Sequence, residues 1–305
     1  METLVIALGG NALIKHHQIG NYKQQLENVK ETSKQIAKLI KKGYCVILTH
    51  GNGPQVGNLQ IQMIAASEKV PAMPLDVDVA MTQAQIGYML QQSLRNEIPA
   101  EKVATIVTEI VVDKNDSAFR KPTKPIGPYY KSKSELKKAK IKNFIYVKGK
   151  GYRKIVASPK PKKIIQLESV KKLSEKKRVV ICCGGGGIPV VKKGNDFFGV
   201  EAVIDKDRTA SLLAKELKAK TLVILTDVEF VYLNFGKKNQ KKLRNVKLKE
   251  MKNYLKEGHF SEGSMKPKIE SAIEFIENSG KEVIITSLNK LLSARNGKTG
   301  TRVIK

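Results

Sequence analysis

Three lysines stand apart in this lysine-rich chain because of what surrounds them. Lys206 lies between Asp205 and Asp207. Lys268 follows Gly263-Ser264-Met265-Lys266-Pro267 at the head of an apolar helical pattern. Lys124 sits among prolines, in Pro122-Thr123-Lys124-Pro125-Ile126-Gly127-Pro128. A flanking carboxylate or a stiff backbone holds an ammonium in one place, where it can meet a transferring phosphoryl group. Without such a frame, each would read as one more surface residue in a chain that is 28% charged. Three glycine loops accompany the lysines: Gly9-Gly10-Asn11, Gly51-Asn52-Gly53 and Gly184-Gly185-Gly186-Gly187. Glycine lets successive backbone N–H groups converge on an anion, and a helix that follows adds its N-terminal dipole. One such loop is often only a tight turn. Three at equivalent places point to a phosphate site.

Other chemistries find less support. Gly297-Lys298-Thr299 looks like the end of a P-loop, but position 292 is Leu where the first Gly belongs. The run from Gly51 to Gly57 is one residue too long for a dinucleotide fingerprint. His16, His17, His50 and His259 lack ligand spacing, and structural roles are expected for them. Cys45, Cys182 and Cys183 give no disulfide framework and no zinc pair. No Ser–His or Cys–His arrangement suggests a nucleophile.

The elements that must position these residues alternate. Residues 3–8 read as a buried strand that ends in the first glycine loop. Residues 21–42 read as a helix, with Leu26, Val29, Ser33, Ile36 and Ile40 at helical spacing and Gly43 as its stop. A strand at 44–49 leads into the second loop. Helices from about 55 and over 76–96 follow, then a strand over 103–112. After residue 160 the rhythm resumes: helix 166–175, strand 178–183 and the third loop, then helix 206–218, strand 221–226 and Asp227. Helices at 247–257 and 265–279 precede a last strand at 282–286. This is βαβ spacing. It predicts an α/β fold, a three-layer αβα sandwich around a mainly parallel open sheet, with the loops at the carboxyl ends of strands where ligands bind. Residues 113–160 break the pattern with four prolines, a fifth at Pro161 just beyond, and a lysine-rich stretch. They are expected to form a small protruding subdomain, a lid inserted in a single domain spanning 1–305, with short strands at 144–147 and 155–157.

The chain has 305 residues, 41% of them apolar, and a formal charge of +28. Its apolar runs are too short to cross a membrane. The opening METLVIALGG enters a strand at once, without a basic stretch or cleavage pattern, so a cytoplasmic location is expected. Residues 114–177 hold 21 basic and four acidic residues, and 237–256 hold nine and one, which accounts for nearly all the excess. These segments are rich in Lys and poor in Arg, and aromatics are 6% with no Trp. Nucleic-acid sites usually add Arg forks and stacking rings, so solvated faces are the preferred reading and a nucleic-acid partner is not expected.

Taken in order, LVIALGGNAL, LTHGNGPQVGNL, PLDV, AMTQ, IGYMLQQ, DKNDSAF, KPIGPYY, CGGGGIPVV, GVEAVIDKD, ILTDV, NFGK, EGHFSEGSMKPKIESAI and GKTGT span nearly the whole chain. Together they resemble the carbamate kinases of the amino acid kinase superfamily. The resemblance implies reversible phosphoryl transfer between ATP and carbamate, giving ADP and carbamoyl phosphate, with Mg²⁺ accompanying the nucleotide and no metal ligand assigned to the chain. It implies a homodimer, and use in the arginine deiminase route toward ATP. By motif match, Lys206 and Lys268 would bind the transferring group and the nucleotide phosphates, Asp207 would orient them, and Lys124 would reach in from the lid. Gly9, Gly10, Asn11, Gly51, Asn52 and Gly53 would surround carbamate and the γ-phosphate. Gly185, Gly186 and Asp227 would lie by the nucleotide. Lys266 departs from the usual Gly, Tyr152 from Trp and Arg208 from Leu, and the lid is shortened and unusually basic. The alternatives are another acyl-phosphate kinase of the superfamily and a basic nucleic-acid-binding protein.

Overall fold

The computed structural model describes residues 2–305 except 16, 100, 101, 140, 177, 178, 262, 263 and 279, and describes Asn11 by its backbone. Its central sheet joins β1 (Thr3–Leu8), β2 (Cys45–His50), β3 (Val103–Thr105), β9 (Val179–Ile181), β12 (Thr221–Thr226), β15 (Asn245–Lys247), β16 (Glu282–Ser287) and β17 (Thr301–Ile304). The order is β15-β17-β16-β12-β1-β2-β9-β3. All neighbouring pairs are parallel except β16 with β17. β1, β2 and β9 are buried along nearly their whole length, as the continuous apolar runs of a sheet covered on both faces require.

Helices cover both faces. On one side α1 (Tyr22–Lys41), α3 (Leu75–Arg95) and α9 (Leu291–Arg295) pack Val29, Ile36, Ile86, Leu90 and Ala294 onto Leu4, Ile6 and Leu48. On the other, α5 (Leu167–Glu175), α6 (Lys206–Glu216), α7 (Leu248–Lys256) and α8 (Met265–Asn278) pack Val170, Leu213, Met251 and Phe275 onto Val5, Ile47 and Ile224. These are the three layers expected. The ends of α1 follow from local chemistry: the Asn21 side chain accepts from Gln24 N at its start, and Gly43 takes φ +87° beyond its end.

The remaining strands build three smaller sheets. β4 (Glu109–Val112), β8 (Pro161–Ile164), β10 (Ile188–Lys193) and β11 (Asp196–Gly199) pair in the order β11-β10-β4-β8. β13 (Val231–Leu233) pairs with β14 (Lys241–Leu243). β5 (Lys124–Tyr130), β6 (Phe144–Val147) and β7 (Gly151–Val156) form an antiparallel sheet in the order β5-β7-β6, beside the short α4 (Lys133–Lys138).

Three expectations need correction. The stretch 103–112 is two strands in two sheets, β3 and β4. They part where the Gln83 side chain accepts from Thr108 N and donates to Thr108 O, taking up the groups a continuous ladder would use. β16 is not the last strand: β17 follows and turns back antiparallel, with no periodicity long enough to announce it. The proline-framed stretch around Lys124 is itself a strand. β5 tolerates Pro125 and Pro128 because it lies at the edge of its sheet.

One contact fixes where this outer sheet meets the body. α2 (Gly53–Ala66) lies so close to β5 that a Cβ on Gly57 would stand 2.0 Å from the backbone of Gly127, itself at φ +68°. Alanine favours a helix over glycine by about 1 kcal/mol, so at an open site Gly57→Ala would stabilise the protein. Here the methyl must push β5 away, and overpacking costs about 1–3 kcal/mol. Urea unfolding should therefore show a net loss of about 1 kcal/mol or more. A stabilised variant would mean that α2 and β5 do not approach this closely.

Candidate active site

The site begins where α6 begins. Asp205 caps the helix by accepting from Asp207 N at 2.9 Å. This leaves its other oxygen, Oδ2, to take the Lys124 ammonium at 2.5 Å. Asp207, the second residue of the helix, accepts from Lys206 Nζ at 2.5 Å through Oδ1 and from Lys268 Nζ at 3.0 Å through Oδ2. Three lysines from β5, α6 and α8 thus gather on two adjacent carboxylates. Lys206 is 9% exposed and Asp207 2%. Charges that deep persist only if paired.

The titration of each group reflects that pairing. For Asp205, burial opposes the charge, but Lys124, Lys206 and Lys268 hold its carboxyl well below the usual range. Asp207 is likewise lowered: burial is outweighed by Lys206 and Lys268. Lys206 is lowered, because burial and the neighbouring Lys268 charge outweigh Asp207. Lys268 suffers burial too, yet Asp207, Asp205 and Asp227 carry it above its ordinary value. The cluster is a fixed array of like-signed ammoniums, held together by two carboxylates and open to a further anion.

The glycine loops close around it. Leu8 pairs with His50, so the loops after β1 and β2 lie side by side. A Cβ on Gly9 would fall 2.5 Å from Leu225 O, which seats the first loop on the end of β12, just before Asp227. Gly10 faces open space. Asn11 lies in the same turn, and its side chain is outside the described residues. A Cβ on Gly51 would touch Lys206 Cδ at 3.4 Å, and one on Gly53 would face Pro125 O at 3.8 Å. Asn52 donates to Thr82 Oγ1 at 2.9 Å. Gly185, at φ +65°, packs so closely on that side chain that a Cβ would stand 2.3 Å from Asn52 Nδ2. Gly186 O accepts from Thr209 Oγ1 of α6 at 2.8 Å.

Every site residue singled out in the sequence, Asn11 by its backbone, therefore lies at this one edge of the sheet. Asp227 stands at the exposed rim, acting on Lys268 through its charge. Two contributors do more than the sequence suggested. Asp205 looked like a mere flank of Lys206, although its place one residue before a helix marks an N-cap. His50 looked like a structural histidine and is one, but it supports two glycine loops at once. Its Nδ1–H donates to Gly51 O at 3.0 Å, and its Nε2 lies where a Cβ on Gly184 would be, 2.4 Å away. Among the departures, Arg208 reaches Glu270 at 3.4 Å and so ties α6 to α8. Tyr152 packs between Phe144 and Tyr146.

A mainly parallel αβα sandwich with an anion site of this composition defines a class of phosphotransferase, and residues 2–287 match the amino acid kinase family. The chain is 48% identical to the carbamate kinase of Pyrococcus horikoshii, over 99% of each chain. Its fold superposes on the carbamate kinase from Giardia lamblia bound to citric acid, with a TM-score of 0.95 and 44% identity, over 100% of this chain and 98% of that one. The same Giardia protein bound to AMP-PNP gives a TM-score of 0.91 at the same coverage. The chain belongs to the amino acid kinase family and, within it, to the carbamate kinases.

His50 yields a pH test of the loop packing. Burial pushes its pKa down to about 4, the bond to Gly51 offsetting only part of that. A depressed histidine contributes stability that is fully present above its unfolded value near 6.5 and is lost as pH falls toward 4. Across that window wild type should lose on the order of 2–3 kcal/mol relative to His50→Asn, read from urea unfolding at a series of pH values. Parallel stability curves would mean that His50 is not held neutral.

Proposed function

We propose that the protein transfers a phosphoryl group reversibly between ATP and carbamate, giving ADP and carbamoyl phosphate. The observation that carries this reading is the convergence of Lys124, Lys206 and Lys268 on Asp205 and Asp207, at the mouth of three glycine loops. The names of the relatives supply the substrate. Both substrates are anions, so bringing them together needs cations that are already fixed. Transfer of a phosphoryl group rests on positioning and on stabilising charge over its oxygens, more than on covalent chemistry by the protein. A carboxylate oxygen of carbamate attacks the γ-phosphorus and the bond to the bridging oxygen of ADP breaks. Carbamate already carries its nucleophilic oxygen, so no general base is needed. In this reading Lys206 and Lys268 bind the transferring group and the nucleotide phosphates, with Asp207 holding them apart from each other. Backbone N–H groups at Gly9, Gly10, Asn11, Gly51, Asn52 and Gly53 surround carbamate and the γ-phosphate. Gly185, Gly186 and Asp227 border the nucleotide.

Asp205 and Asp207 are taken up by ammoniums, and among the described residues no three His, Cys, Asp or Glu side chains stand together as metal ligands. These donors make no cage of the chain's own. Mg²⁺ is read as part of the nucleotide substrate, held by its phosphates and offsetting their charge. The resemblance adds the ATP-forming direction within the arginine deiminase route, a cytoplasmic location and a homodimer. In support of the last, Met81 and Tyr88, seven residues apart on one side of α3, are exposed apolar side chains of the kind a second copy would cover. Among the described residues no helix is long and apolar enough to cross a membrane.

A coupled assay of ATP formation from ADP and carbamoyl phosphate tests the reading. Lys206→Ala removes one charge-assisted contact and should lower turnover about a hundredfold, corresponding to roughly 3 kcal/mol. Turnover within about threefold of wild type would remove Lys206 from the reaction.

Residues 113–160 are proposed to act as a lid. Lys124 has a resident partner, Asp205, on the body. An arriving phosphoryl group competes for that ammonium, and closure would exclude water from the transfer. Amide hydrogen exchange should show this segment protected by ADP with a carbamoyl phosphate analogue. Lys124→Ala should lower kcat more than it weakens ADP binding. Equal protection in both states would argue for a fixed sheet.

A further inference from the structure

One buried charge takes no part in the chemistry above. Asp78 of α3 is 0% exposed, and neither carboxylate oxygen has a hydrogen-bond partner. Buried carboxylates are normally paired or bonded, so an unsatisfied one calls for an explanation. Its surroundings supply a candidate. Gln60 of α2 and Lys154 of β7 stand beside it and favour its charge. Glu201, between β11 and α6, and Asp76 of its own helix oppose it. Glu201 is partly engaged elsewhere, accepting from Leu75 N at 3.1 Å. The Lys154 ammonium donates to Gln60 Oε1. Burial lowers the pKa of that lysine, and the charges of Glu201 and Asp78 resist the fall.

The position of Lys154 gives this cluster its consequence. On β7, Lys154 pairs with Ile126 and Val156 pairs with Lys124. In a strand, residues two apart share a face. Lys154, Val156, Ile126 and Lys124 therefore occupy one side of the β5–β7 ladder, the side turned to the body. There Ile126 and Val156 pack with Val56, Leu75, Val79 and Val203. The apolar contacts and the Gly57–Gly127 approach hold the ladder against α2 and α3. Lys154, bonded to Gln60 and drawn by the charges of Glu201 and Asp78, adds a directional tie two residues from the partner of Lys124.

We infer that Lys154 is a positioning residue for the transfer reaction, fixing the root of the strand pair that delivers Lys124, and that buried Asp78 joins Glu201 in drawing it inward. The inference rests on the reading that Lys124 meets the phosphoryl group. Asp78 is held where its charge is costly because that charge serves the placement of another group.

Two opposite signs make the test sharp. Burial pushes the Asp78 carboxyl up to about 6. A carboxyl raised above its unfolded value costs stability above that pH, and the cost is recovered as pH falls toward the unfolded value near 4. Asp78→Asn should therefore melt no lower than wild type at pH 8, and by a few degrees higher, on the order of 2–4 °C. Its kcat should nevertheless drop several-fold, because Lys154 has lost the buried one of its two counter-charges, with Glu201 remaining. A merely structural residue would move stability and turnover together.

The experiment measures kcat and KM for ADP and carbamoyl phosphate between about pH 5 and 8 in wild type, Lys154→Met, Lys154→Arg and Asp78→Asn. Lys154→Met should lose about tenfold in kcat with the KM for ADP within about twofold, and Lys154→Arg should recover most of the loss. Wild-type kcat should fall as pH drops through about 6, and Asp78→Asn should lack that limb and stay near the low-pH level. If Lys154→Met fails to fold, the Arg variant and the missing pH limb decide the matter. Wild-type kcat in Lys154→Met, or an unchanged limb in Asp78→Asn, would overturn the inference. Absence of ATP formation by wild type itself would overturn the proposed reaction instead.

Discussion

The structure depends on one electrostatic constraint: three ammoniums must stay charged and close together in a region from which water is largely excluded. Alone they would repel one another or lose protons. Asp207 resolves this by accepting one lysine on each oxygen, and Asp205 holds the third while capping α6. A single turn of helix thus organises side chains from residues 124, 206 and 268. Its position at the carboxyl edge of the sheet follows from the parallel order of β1, β2, β9 and β12, which brings every strand-to-helix loop to the same side.

Close packing around that turn explains the glycines better than anion binding alone. Gly9 gives way to the Leu225 carbonyl, Gly184 to the His50 ring and Gly185 to the Asn52 amide. Each is a place where backbone must pass within reach of another loop, and a side chain would push the loops apart. Gly10 differs, because nothing lies within 4 Å of where its Cβ would be. It lies at the exposed surface of its loop. The loops therefore divide into positions that lock the site together and one that leaves it open.

Much of this was legible in the sequence because it is local. The strand–loop–helix units show as apolar runs that stop at glycines, and the Asp-Lys-Asp triplet shows its own electrostatics. What was hidden depends on long-range partners. β17 is too short to show a period and exists because β16 has a free edge to pair with. β3 and β4 read as one strand because nothing between them reveals that Gln83, some 25 residues earlier, takes both backbone groups of Thr108. Asp78 stands in the first turn of a helix, an ordinary favourable place for an acidic residue. The packing of α2, β5, β7 and the stretch around Val203 against that turn is what no local pattern shows. The residues of the lysine–carboxylate cluster announced themselves, and those packed beneath the β5–β7 ladder did not.

The excess positive charge can now be divided by what each lysine touches. Lys131, Lys148 and Lys241 are exposed, and the exposed Lys150 and Lys242 lie over the Tyr129 and Phe230 rings at the surface. Such charges raise the local concentration of anions and so the rate at which nucleotide arrives, an effect that salt screens over about 10 Å. They cannot stabilise a transferring phosphoryl group, because a hydrated ammonium must first give up its water and find its place. Lys124, Lys206 and Lys268 have already met both costs on folding, with Asp205 and Asp207 as the compensation. That difference, rather than the number of lysines, sets these three apart in a chain with 56 basic residues.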